Sequence, residues 1–195
     1  MHLLLALAVL ATLSTAPASE PLELDTETPP PPAADVTIDS ASPAWTELVE
    51  WGVARFRAAG LELPALEVSV HADKGPCDGN GGLYQPGPTP RVRLCSAGRP
   101  DARAVKLLTL HELAHAWAEA RLSEETRAAL LELRGLEAWV DPALPPHEWG
   151  AEHAAEILSW GLMDEEVRII RIYDAEPAQL EAGFELLVGA RPMWV

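Results

Sequence analysis

The sequence predicts a small α+β domain, and three observations carry that reading. An amphipathic helical stretch starts at Pro43, short apolar-polar alternations follow between residues 66 and 95, and helical segments then dominate to the C-terminus. With 195 residues there is room for one compact domain and processing segments, but hardly for two domains.

The N-terminal region precedes that domain. An apolar run from Leu3 to Leu13 leads to Ala16-Pro17-Ala18, an A-x-A cleavage pattern, so residues 1–18 read as a signal peptide even though no Lys or Arg marks the start. The run is shorter than the roughly 20 apolar residues a spanning helix needs. Residues 19–42, with Pro29-Pro30-Pro31-Pro32 and six acids, read as an extended, disordered linker, because they cannot bury enough apolar surface to offset ordering entropy. The folded domain is expected over 43–195.

Ser42-Pro43 offers an N-cap and an N1 proline, and Trp45, Leu48, Val49, Gly52, Val53 and Phe56 recur at helical spacing up to Gly60. Leu66 to His71 alternates around β-branched Val68 and Val70 and predicts a strand. Lys74 to Pro90 is dense in Gly and Pro and reads mostly as loop, with a short strand at Gly82-Leu83-Tyr84; Arg91 to Cys95 predicts another. After Asp101 a long apolar-periodic helix runs to Leu122 without Pro or Gly. Ser123 caps a second helix that ends at Arg134-Gly135, where glycine suits the C′ position. Asp141 to Pro146 is a proline-broken loop, and a third helix is expected from His147 to Trp160. Val167 to Tyr173 is ambiguous, and Pro177 to Val188 reads as a last helix.

Charge and cysteine usage narrow the function classes. The formal net charge is −16, and the expected domain keeps −10 of it, so nucleic acid would be repelled, and no basic patch suggests anionic lipid. Cys77 and Cys95, an even pair behind a signal peptide, read as a disulfide worth about 3 kcal/mol in the chain-entropy picture. A thiol metal site would need further cysteines.

The chemistry is concentrated in His111-Glu112-Leu113-Ala114-His115. Residues i and i+4 of a helix share one face, so His111 and His115 can aim two imidazole nitrogens at one metal ion. Glu112 stands about 100° round the helix, beside the metal and not on it. That is the place for a general base acting on water that zinc has made acidic, with a pKa near about 7. Zinc needs a third protein ligand. Glu119 lies about 12 Å along the axis from His111, too far to share the ion. A metzincin pattern fails, because its Gly and His positions are Ala118 and Arg121 here. The candidates that remain lie in the His147–Glu156 segment: Glu148, Glu152 and Glu156, one helical stripe in this reading, and His153.

At this point the chain resembles the gluzincins, zinc peptidases that join HExxH to a glutamate on a following helix, and looks closest to small single-domain members. The resemblance covers about a quarter of the chain. It implies a small zincin-like domain with a short sheet followed by the HExxH helix. Position by position, it implies His111, His115 and Glu152 as zinc ligands, Glu112 as catalytic base and Glu156 as support for a ligand histidine. The expected function is a secreted or periplasmic zinc metallopeptidase, monomeric, acting on a peptide or protein substrate. The rival is a secreted non-catalytic binding domain whose zinc is structural or vestigial. Tyr84, Tyr173, His147 and His153 are the candidates to steady an oxyanion. Trp117, Trp139, Trp149 and Trp160 are expected to pack helices, and His71 to be exposed at a strand end.

Overall fold

The structure is a computed structural model that describes residues 35–95, 102–167 and 176–195. The signal-peptide reading of 1–18, most of the linker and most of the ambiguous 167–173 stretch, Tyr173 included, lie outside the described residues. Nine principal elements follow in order: β1 (Val36–Asp39), α1 (Pro43–Ala58), β2 (Leu66–His71), β3 (Gly82–Gln85), β4 (Arg91–Cys95), α2 (Ala102–Arg121), α3 (Glu124–Arg134), α4 (Gly150–Gly161) and α5 (Pro177–Val188). Single 3₁₀ turns at Gly75–Cys77 and Pro146–Glu148 complete them. The α+β expectation is met.

The four strands form one sheet in the order β1-β2-β4-β3. β1, β2 and β4 run parallel, and β3 is antiparallel to β4. A parallel pair needs a crossover, and α1 supplies it between β1 and β2. The alternation seen in the sequence places Val68, Val92 and Leu94 in the core, at 1% exposure or less. There they join Phe56 of α1 and Leu110 and Leu113 of α2. Close passage of α1 over α2 depends on Gly52, where a Cβ would lie 3.1 Å from both Leu113 and Thr109 side-chain carbons. α2 also packs along α4 and against β3 and β4, so the metal-motif helix is held on several sides.

Two expectations need correction. The linker expected over 19–42 contains β1, whose Val36 to Asp39 pair in register with Leu66 to Ser69. Val36 and Ile38 alternate with Thr37 and Asp39, but the signal is four residues long and sits beside a proline run. Its backbone bonds come from β2, a partner that local composition cannot reveal. The third helix starts at Gly150 rather than His147. Trp149 is extended (φ −89°, ψ 137°), because Trp149 bridges to Ala138 and Gly150 N–H donates to the Ala138 carbonyl at 3.0 Å.

Helix ends follow the local chemistry closely. Ser123 Oγ accepts from Thr126 N–H at 3.1 Å, and Gly135 closes α3 in the left-handed region at φ 64°. Cys77 and Cys95 form the expected disulfide, with Cα atoms 6.1 Å apart. It ties the Gly75–Cys77 turn to the end of β4. Among the described residues no helix is long and apolar enough to cross a membrane.

Candidate metal centre

Leu110, Leu113 and Ala114 bury one side of α2 completely, which fixes the helix about its axis. His111 and His115 then come together one turn apart, their rings edge to face with centroids 4.7 Å apart. Their Nε2 atoms are 3.0 Å apart. Glu152, in the first turn of α4, bridges them. Its Oε2 lies 3.3 Å from His111 Nε2 and its Oε1 3.4 Å from His115 Nε2. The ligand atoms of these three residues fall within 4.8 Å of one another, so the group can hold a metal ion.

The donor set is one that zinc, among other divalent ions, can use. Tetrahedral zinc with bonds of about 2.0–2.1 Å places its ligand atoms roughly 3.3–3.4 Å from each other. The three separations found here lie at or slightly inside that value. Two imidazoles and one carboxylate also leave a position open for water or substrate.

Electrostatics point the same way. Burial works against ionisation of Glu152, but hydrogen bonds from His111 and His115, and their charge, hold its carboxyl far below the usual range. Burial likewise works against protonation of His111. Its bond to Glu152 and the charges of Glu156 and Glu112 overcome that and raise its pKa. Three carboxyl groups thus surround one buried imidazole, a field that favours a cation among them.

Glu156 lies beside His111. One turn beyond Glu152 and 8% exposed, it brings Oε1 to 3.4 Å from His111 Nδ1. That Nδ1 is buried and makes no hydrogen bond of good geometry, so Glu156 is its facing acceptor. The other two ligand candidates are not brought to the site. Glu148 sits in the 3₁₀ turn and outside α4, so the three-acid stripe is really Glu152 and Glu156 alone. His153 accepts from Arg134 Nε at its Nδ1 (3.2 Å) and donates from Nε2 to the His147 carbonyl (3.0 Å). Both ring nitrogens are thereby engaged in structure. Burial and the Arg134 charge lower its pKa, despite the His147 bond.

Beside the donors opens a cleft of about 730 Å³, lined in part by His111, Glu112, His115 and Glu152. Glu112 is 6% exposed and packs against β3, where Gly82 makes room for it. A Cβ at residue 82 would lie 2.4 Å from Glu112 Oε1. Among the oxyanion candidates that fall within the described residues, only Tyr84 lines the cleft, with its ring stacked on His115 at 6.0 Å and 10°. Burial, then the charge of Glu119, raises its pKa, so the phenol keeps its proton at neutral pH. His147 is not among the lining residues. Glu119 does line the cleft but is absent from the donor group, in keeping with the helix geometry.

Trp117 and Trp160 are core residues, as expected, at 6% and 3% exposure. Trp139 also packs against the core as expected, and both it and Trp149 line the cleft, together with Gly82 and Val140, none of which the sequence singled out as functional. The Gly81-Gly82 pair beside a strand was the available signal, since glycine there marks close approach of backbone and another group. His71 shares a 2.9 Å hydrogen bond with Ser69 at the end of β2. Comparison of the chain with family models, with curated proteins and with solved structures finds no match.

Proposed function

We propose that this protein is a secreted, zinc-dependent metallopeptidase of the gluzincin kind. The observation that carries the reading is the meeting of the His111, His115 and Glu152 donors at one point beside a cleft that also receives the Glu112 carboxylate. Zinc held by these donors would act as a Lewis acid, polarising a substrate carbonyl and lowering the pKa of water towards about 7.

The residues of the chain do the rest. Glu112 takes a proton from the attacking water as its oxygen bonds to the carbonyl carbon. It then passes that proton to the amine nitrogen as the C–N bond breaks. Glu156, 3.4 Å from the His111 Nδ1, would accept its N–H when a metal is bound, leaving Nε2 bare as a ligand. The protonated Tyr84 phenol is the donor available to a developing oxyanion. β3, which ends the sheet among the described residues and lines the cleft, can pair with an extended peptide by strand addition. The disulfide suits an oxidising compartment, and export is the reading that accommodates it.

The test is metal content and turnover together, on wild type and Glu112→Gln. Purified wild type should carry about one zinc per chain and cleave members of a broad peptide library. Glu112→Gln should keep the zinc and lose about 10²–10⁴-fold in cleavage rate. Zinc without cleavage of any peptide would favour the binding-domain alternative, and no zinc at all would remove both.

A further inference from the structure

Large apolar side chains left in water are few here, and one of them opens onto the site. Val140 is 52% exposed, and of the exposed large hydrophobics among the described residues it alone lines the cleft. Its neighbours in the wall are Trp139 and Trp149, whose segment joins α3 to α4. With the half-buried Trp139 and Trp149, Val140 gives the cleft an apolar wall.

The wall is rigidly built. The Arg127 guanidinium lies over the Trp139 ring, 5.0 Å from its centroid. Gly150 packs so close to the same ring that a Cβ there would lie 2.9 Å from Trp139 Cε3. Trp149 donates its Nε1–H to the Asp141 and Leu144 carbonyls, at 2.7 and 3.1 Å. Backbone bonds from Gly150 N–H to Ala138 O and from Ala151 N–H to Trp139 O, both 3.0 Å, fasten the wall to the turn of α4 that carries Glu152. Wall and ligand therefore hold a fixed relation to each other, which is what a preorganised subsite requires.

We propose that Trp139, Val140 and Trp149 form a specificity subsite for a large aliphatic or aromatic side chain of the peptide substrate; this rests on the peptidase reading and adds the substrate class to it. The acidic groups in the same cleft, Glu112, Glu119 and Glu152, disfavour an acidic side chain there. The cleft volume lies within the range of about 300–1,000 Å³ typical of small-ligand sites.

The test separates this subsite from catalysis. Zinc-loaded Glu112→Gln protein is titrated calorimetrically with blocked Gly/Ser hexapeptides carrying one central Phe, Leu, Ala, Lys or Asp. Phe and Leu peptides should bind about tenfold or more tightly than Ala, and Asp should bind worst. Adding Val140→Asp, at an exposed position that folding does not depend on, should erase the preference. Trp139→Ala should do the same where it folds. Equal binding of the Phe, Ala and Asp peptides, or a preference unchanged by Val140→Asp, would overturn the subsite. If wild type cleaves nothing but the Val140-dependent preference persists, the wall stands as a peptide-binding site and the peptidase reading falls. If wild type cleaves peptides without regard to side chain, the peptidase stands and the subsite falls.

Discussion

His111 has to serve two masters in one ring. Its Nε2 faces His115 and Glu152, while its buried Nδ1 faces Glu156 at 3.4 Å. An imidazole offers a lone pair to a metal on one nitrogen only if the other keeps the proton, and under the proposed function Glu156 would select that tautomer. Glu156→Ala should weaken zinc binding about 10–100-fold, measured by competition with a chromophoric chelator. Glu156→Gln should recover part of that loss, because its amide oxygen still accepts. Unchanged affinity in the alanine variant would remove Glu156 from this role. The pairing was legible as a spacing, four residues past Glu152, but not as a contact. Glu148 has the same spacing on the other side of Glu152 and misses the site altogether. Sequence spacing is a distance only where the helix exists, and α4 begins two residues too late for Glu148.

Between elements, the decisive meeting is β3 against α2. Glu112 reaches its place because residue 82 has no side chain; in Gly82→Ala the new Cβ would fall 2.4–2.7 Å from three atoms of the Glu112 side chain. A flexible side chain can swing aside, so stability should change little. The candidate donors His111, His115 and Glu152 lie elsewhere and should keep any metal they bind. Under the proposed function, turnover should still fall about 10²-fold or more, because Glu112 is displaced from its place as base. The combination of wild-type zinc content, a nearly unchanged melting temperature and lost cleavage is the expected signature. Full turnover in this variant would mean that Glu112 does not work from the position described. Helices were the readable elements here, since Ser123, Gly135 and the apolar period of α2 each act within a few residues. β1 and the extended Trp149 were unreadable for the opposite reason, as their hydrogen-bond partners lie far along the chain.

For the molecule as a whole, the Cys77–Cys95 bridge holds the loop before β3 to the end of β4, and so braces one rim of the cleft. Replacing both cysteines with serine should cost about 3 kcal/mol, read as a lower denaturant midpoint, mainly by freeing the unfolded chain. A loss well under 1 kcal/mol would show that the loop is held by its packing alone. The net charge of −16 is a whole-chain property of the same kind: it says nothing of where the cleft lies. The sequence by itself determined the α+β class, the disulfide pair, most helix limits and the HExxH spacing, because each depends on residues near in sequence or on simple counts. Only the tertiary structure decided that Glu152 joins His111 and His115, that Tyr84 stacks on His115, and that Trp139 and Trp149 face a cleft. Those outcomes depend on how α4, β3 and the loop before α4 pack around α2, and packing is settled by the chain as a whole.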